Sequence, residues 1–184
     1  FSAELSKVRP ARPDAVFVFY PGKHGVQILQ QYSQAGLKGK IPFYSTYTID
    51  ATTLPLQKDL ALGAISTQHW VQDLPNEVNK RYVADYLKKY DRYPSFYGQQ
   101  SYDGAMLIAS AVNAVSGDLK NKAGIRTAMR KADFPSTRGQ FKFGNNHFPV
   151  QNFYAQEVVK DAQGRLTYKT VATVFKDYQD AHAS

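Results

Sequence analysis

The chain has 184 residues, 43% of them hydrophobic and 21% charged, with a net charge of +8 and no cysteine. That length allows one large domain or two small ones with a real core, and the lack of Cys excludes a disulfide framework, a thiolate metal site and a Cys nucleophile. The basic residues are scattered: their densest group (Lys80, Arg81, Lys88, Lys89, Arg92) is interrupted by Asp85 and Asp91, so the charge reads as solvated surface and no nucleic-acid partner is expected.

No initiator Met opens the chain, as expected for a piece of a longer protein, and Phe1, Leu5 and Val8 share a helical face that Arg9–Pro13 should end. The apolar run Ala15–Tyr20 stops at Pro21-Gly22 and reads as a strand buried on both faces. Val26–Ala35 has helical spacing, with Gly36 as a left-handed cap, and Ile41–Ser45 is a second short strand. This order is that of parallel crossovers. Residues 46–62 are polar and Thr-rich, and Gly63–Trp70 reads as another strand. Asp73 should cap the next helix, with Val78, Tyr82, Val83, Leu87 and Tyr90 as its buried stripe. A long helix follows from Phe96 to Val115, then a shorter one from Lys122 to Lys131. Beyond it, Arg138–Phe143 and Val150–Val159 alternate as a hairpin through Gly144-Asn145-Asn146, and Asp161–Gly164 turns into a strand from Leu166 to Phe175. Lys176–Ser184 is a short polar tail.

In open α/β sheets small molecules bind beyond the carboxyl ends of parallel strands. The loop Tyr20-Pro21-Gly22-Lys23-His24 is therefore the first candidate, and Tyr47 holds the same position after the second strand. A tyrosine offers a flat apolar face and a hydroxyl, which suits a small ring or acyl chain. Tyr32, Tyr82 and Tyr90 lie on helix stripes and are expected in the core. Trp70 ends its strand as a pocket wall or a packing anchor. No GxGxxG, Walker loop or GxSxG elbow is present. The four histidines are far apart and read as surface or hydrogen-bonded, and Asp103 as a structural hydrogen-bonding group. No catalysis, metal or cofactor is expected.

Three stretches together resemble a known family. They are Pro13-Asp14-Ala-Val-Phe-Val-Phe with Tyr-Ser-Gln-Ala-Gly36-Leu37-Lys38 and Ile41–Ser45; Tyr93-Pro94-Ser95 followed by Gln100-Ser-Tyr102-Asp103-Gly104-Ala105; and Arg138-Gly139-Gln-Phe-Lys-Phe with Asn146–Gln151. In this order they are similar to type I periplasmic solute-binding proteins of ABC importers, in the branched-chain amino acid-binding branch and among relatives that take aromatic or other carboxylic acids. The resemblance implies an α/β fold of two Rossmann-like lobes with three crossing segments, present only in part. Residues 1–65 would belong to the second lobe, 66–71 to a hinge crossing and 72–137 to the first lobe. Residues 138–184 would cross back to the second lobe with a β-hairpin and the tail.

It also implies an extracytoplasmic, non-catalytic protein that captures a ligand in an interlobe cleft and delivers it to permease subunits. Tyr20, Pro21, Gly22, Thr46, Tyr47, Trp70 and Tyr102 would line the site. Amino-acid binders of the family place an acidic residue after the second-lobe strand, near Thr46-Tyr47 here, yet no carboxylate occurs before Asp50. A ligand lacking an ammonium group, such as an aromatic or aliphatic carboxylic acid, is thus expected. Partners would be the missing N-terminal half of the same protein or a second copy. Alternative readings are a ligand-sensing receptor domain of the same fold and, from another class, an enzyme fragment with a flavodoxin-like sheet.

Overall fold

The computed structural model describes residues 1–182; Ala183 and Ser184, the end of the expected tail, lie outside the described residues. The elements in chain order are α1 (Ser2–Ala11), β1 (Val16–Val18), α2 (Lys23–Gln34), β2 (Phe43–Thr46), α3 (Leu54–Gln57), a 3-10 turn (Lys58–Ala61), β3 (Ile65–Gln68), α4 (Glu77–Tyr90), α5 (Phe96–Ala114), α6 (Lys122–Lys131), β4 (Lys142–Phe143), β5 (Pro149–Lys160) and β6 (Leu166–Tyr178). They divide into two compact units, residues 1–71 with 154–172, and residues 72–153 with the chain from 173 onward.

In the first unit β1, β2 and β3 are parallel, with Phe17 opposite Tyr44 and Tyr44 opposite Ile65. The returning part of β5 lies antiparallel to β3, pairing Ser66 with Gln156. One face of this sheet carries the core, where Val18 and Phe43 meet Ile28, Leu29 and Tyr32 of α2 together with Leu5, Leu37, Ile49, Leu54 and Val158. Tyr32 stands edge-on to Phe43 at 5.0 Å and donates its hydroxyl to the Ile41 carbonyl at 2.8 Å. Each fully buried aliphatic or aromatic side chain here contributes about 1.5–3 kcal/mol.

The expectation that Ala15–Tyr20 is buried on both faces is corrected. Phe17 is 67% exposed and its neighbour in register, Tyr44, 42%. The physical reason is that alternate strand residues point to opposite faces, and the helices cover only the face that holds Val18. As expected, α1 ends within Arg9–Pro13: Pro10 sits inside its last turn, and the cap Arg12 adopts φ 48°. Gly36 takes φ 66° after α2 as expected, its N–H donating to the Ser33 carbonyl.

The second unit holds α4, α5 and α6, and β4 pairs antiparallel with the start of β5, Lys142 opposite Val150. The cap of α4 is Asn76, whose side chain accepts from the Asn79 N–H at 2.9 Å, and not Asp73. The Asn79 amide also donates to the carbonyls of Gln72 and Leu74. Those bonds hold the chain ahead of Asn76 out of the helix. Tyr82 is buried as expected, whereas Tyr90, at the outer end of a tyrosine stack through Tyr86, is half exposed.

The polar centre of this unit is the carboxylate of Asp103 on α5. Its Oδ2 accepts from Gln99 Nε2 at 2.8 Å, Ser136 Oγ at 2.6 Å and Arg138 Nε at 3.2 Å. Its Oδ1 accepts from the Thr137 N–H at 2.9 Å and the Thr137 hydroxyl at 3.0 Å. Arg138 continues to Gln151 Oε1 at 2.8 Å and lies over the Phe141 ring. The structural role expected for Asp103 is what the geometry gives.

In the first unit α2 approaches the strand ends more closely than a side chain at its first turn would allow. Gly22 takes φ 65°, so the chain reverses there with no Cβ penalty. A Cβ at Gly25 would lie 2.5 Å from both the Thr48 and the Tyr20 carbonyl oxygens. Inside a helix Gly→Ala ordinarily gains about 1 kcal/mol, but forcing an atom into a packed site costs about 1–3 kcal/mol. The clash is with two backbone atoms, which cannot swing away, so the cost wins. Gly25→Ala should therefore lower the thermal unfolding midpoint; an unchanged or raised midpoint would show that α2 shifts freely against the strand ends.

Candidate functional site

Three segments leave the carboxyl ends of the parallel strands of the first unit: 19–25 after β1, 47–53 after β2 and 69–71 after β3. Such ends collect backbone N–H groups and loop side chains beyond the sheet, which is why ligands of open α/β sheets bind there. Lys23 and His24, expected in a loop, already form the first turn of α2, so this helix starts at the same end of the sheet. Its dipole favours a negative charge there.

Thr48 joins the first two segments. Its hydroxyl accepts from the Tyr20 N–H at 2.9 Å and lies 3.1 Å from the Thr46 carbonyl, to which it donates. The Thr48 carbonyl in turn accepts from Gln57 Nε2, and the Ile49 carbonyl from Gln68 Nε2 at 2.9 Å. These amides are buried, so the 47–50 turn is fastened to the sheet from below. The Tyr20 ring lies 4.7 Å from that of Phe1, tilted by 53°.

Of the residues expected at the site, Tyr20, Pro21, Gly22, Thr46, Tyr47 and Trp70 all fall in the first unit; Tyr102 falls in the second. There Tyr102 lies against Tyr82 at 4.8 Å. Burial foremost, then the phenols and carboxylate of Tyr86, Asp103 and Tyr102, raise the pKa of Tyr82 well above that of an ordinary phenol. The Thr46 hydroxyl donates to the Thr67 carbonyl at 3.2 Å. Trp70 is only 2% exposed.

Tyr47 has a left-handed backbone, φ 50°. Non-glycine residues held in that region cost of order 1–3 kcal/mol and cluster at functional sites. Its hydroxyl reaches His69 Nδ1 at 3.0 Å, and the two rings are 5.9 Å apart. His69 and Thr48 are the residues that sequence reasoning missed. The run Tyr47-Thr-Ile-Asp-Ala-Thr-Thr53 straight after a strand signalled a hydrogen-bonded turn. Nothing in the spacing signalled His69, whose partner is 22 residues away.

Asp50 is the single carboxylate in these three segments. It is 2% exposed, and its Oδ1 accepts from both the Thr52 N–H and the Thr52 hydroxyl at 2.6 Å. Its charge also bears on buried Tyr168, whose phenol is pushed up by burial first and by Asp50 second. Asp50 is thus committed to the turn and the interior. What the strand ends present is aromatic faces, hydroxyl and imidazole groups and the exposed cation of Lys23, a surface suited to an apolar ring bearing an anion.

A cavity of about 370 Å³ opens at the other end of the sheet, between Leu29, Tyr32, Ile41, Phe43, Leu60 and Leu62. It is the poorer candidate. Its Tyr32 hydroxyl and Lys38 ammonium are already bonded to the carbonyls of Ile41 and Asp59. Among the described residues no cluster of side chains is arranged to hold a metal ion, and no helix is long and apolar enough to cross a membrane.

No curated protein matches the chain in sequence. Among solved structures, a solute binding protein of an ABC transporter from R. palustris in complex with benzoate superposes with a TM-score of 0.86 at 27% identity, covering 97% of this chain and 48% of that one. A solute binding protein from Rhodopseudomonas palustris BisB5, in complex with 3,4-dihydroxy benzoic acid, gives 0.85 at 28% identity over 100% of this chain and 51% of that one. A leucine binding protein from Thermotoga maritima gives 0.76 at 22% identity over 94% and 48%, a likeness of fold alone. The chain thus spans about half the length of the solved structures it matches. The family model described as Periplasmic binding protein matches residues 1–164. With that match over most of its length and this α/β architecture, the chain belongs to the periplasmic binding protein family and carries part of its type I fold.

Proposed function

We propose that the protein is the extracytoplasmic solute-binding component of an ABC importer and that its ligand is an aromatic carboxylic acid without an ammonium group. The observation that carries this reading is the commitment of Asp50. An α-amino acid needs an anion beside its ammonium, because a buried unpaired charge costs several kcal/mol. The one carboxylate in segments 19–25, 47–53 and 69–71, Asp50, is tied to Thr52 and buried. The relatives solved with benzoate and 3,4-dihydroxy benzoic acid support the same ligand class.

In this reading Tyr20, Pro21, Gly22, Thr46 and Tyr47 meet the ligand on the first unit and Trp70 backs them. The protein does no chemistry on the ligand. Binding favours the closed form only by the difference in affinity between closed and open states, and the permease reads the closed form. Titration calorimetry on the protein in its full natural length should show binding of benzoate and 4-hydroxybenzoate and none of leucine. Leucine binding with both acids inert would sink the reading.

We further infer that additional polypeptide covers the first unit. Among the described residues β1 pairs only with β2, leaving an open edge, and Phe17, Phe19 and Tyr44 form a bare aromatic face beside it. Open apolar edges of this kind template further strands, and the matched structures are about twice this chain's length. Either the rest of the natural protein or a second copy fills that place. Light scattering of the 184-residue chain alone should give species larger than the monomer, and a monodisperse monomer would refute the inference.

A further inference from the structure

The second unit carries a line of charge that the scattered basic residues of the sequence conceal. On α6 the cations Lys122, Arg126 and Arg130 recur at every fourth position, which aligns them on one face over about 12 Å of helix axis. Lys120 precedes them and Lys131 follows, and no carboxylate occurs from 119 to 132. All five cations are exposed. Lys131 pairs with Asp133 at 3.4 Å, whereas Lys120, Lys122, Arg126 and Arg130 form no ion pair among the described residues. The basic residues of α4 differ: there Glu77 holds Lys80 at 2.8 Å, and Asp85 and Asp91 separate the rest.

This arrangement works against the helix that carries it. Like charges four residues apart repel. Lys122 also lies in the first turn, where the helix dipole favours an anion and no acid stands. The helix is nevertheless fixed at both ends: Asn121 Oδ1 accepts from the Gly124 N–H at 2.9 Å, and Ala132 leaves it at φ 52°. Ile125, Ala128 and Met129 are half-buried on the side that packs on α5. An anionic surface outside the molecule relieves the repulsion with no change of fold. Just ahead of the first cations, the turn before α6 puts forward Leu119, which is 58% exposed.

We propose that this face of α6 docks on a membrane surface of anionic phospholipid, with its cations over the headgroup phosphates and Leu119 entering the interface. Lipid asks for surface charge and a shallow apolar contact, and for no complementary shape. A protein partner asks for an apolar core ringed by polar groups, and beyond its cations the exposed side of α6 offers only Ala123 and Thr127. The surface belongs to a different unit from the strand-end site. Its failure would leave the ligand reading standing, and the reverse.

Cosedimentation of the protein in its full natural length with lipid vesicles tests this. Binding to phosphatidylcholine vesicles containing roughly one third phosphatidylglycerol should exceed binding to pure phosphatidylcholine by on the order of tenfold and vanish in about 0.5 M NaCl. Lys122→Glu with Arg126→Glu should lower it by about tenfold or more. Lys88→Glu with Arg92→Glu on α4 changes the net charge equally and should stay within about threefold of wild type. Leu119→Ser should weaken vesicle binding by about threefold while leaving retention on poly-glutamate, a probe for an acidic protein, unchanged. Unfolding midpoints identify any variant that fails to fold, and Lys122→Gln with Arg126→Gln supplies a milder second pair. Equal binding to the two vesicles, or an equal loss in the α4 pair, overturns the proposal. So does undiminished vesicle binding by Leu119→Ser, which would reduce the contact to the plain charge attraction that an acidic protein also exerts.

Discussion

The Thr48 hydroxyl sits between two backbone segments that leave the sheet at different strands, accepting from the Tyr20 N–H and donating to the Thr46 carbonyl. A hydroxyl in that place does what a β-ladder would do if the strands were longer. β1 is only three residues long and β2 four, so neither reaches far enough to order the residues beyond it. Side-chain bonds from Thr48, Gln57 and Gln68 extend the order past the strand ends, and all three groups are buried. Within a low-dielectric interior a satisfied network of this kind is rigid, and losing one member leaves the others unpaired at about 1–3 kcal/mol each. The fixed platform under Tyr20 and Tyr47 follows from that constraint.

The second unit solves a related problem with charge. Asp103 gathers two hydroxyls, an amide, a backbone N–H and a guanidinium from residues 99 and 136–138. It thereby pins the irregular segment after α6 to the middle of α5. Truncating one partner of such a buried pair costs about 3–5 kcal/mol, mostly because the other charge is left uncompensated. In both units the segments with the least regular secondary structure carry the densest polar bonding, as expected where loops must be precise without a ladder to hold them.

The sequence made some of this readable and hid the rest for physical reasons. Element order, the extent of α5 and α6, the Gly36 cap and both hairpin turns follow from local patterns that a neighbour cannot overrule. The bare face of β1 was hidden, since an apolar run looks the same whether its second face is covered by this chain, by another segment or by nothing described. Asp73 and Asn76 are equally good caps in isolation, and the choice fell to Asn79, whose amide bonds backward to Gln72 and Leu74. Tyr90 has the right helical spacing for a core residue but forms the outer, half-exposed end of the row of rings that Tyr82 begins. At the site, strand ends pointed to Tyr20 and Tyr47, and the Thr-rich run to the turn between them. The pairing of Tyr47 with His69 needs the β2–β3 register, which no local spacing encodes.

Where the ligand sits, and what faces it, decides what the protein selects. A crystal structure of the protein in its full natural length grown with 4-hydroxybenzoate measures this most directly. It should show the acid beyond the carboxyl ends of β1 and β2, against Tyr20, Gly22 and Tyr47, with Asp50 still bonded to Thr52. Density for the acid at the opposite end of the sheet, between Leu29 and Phe43, or an amino acid with its ammonium on Asp50, would contradict it.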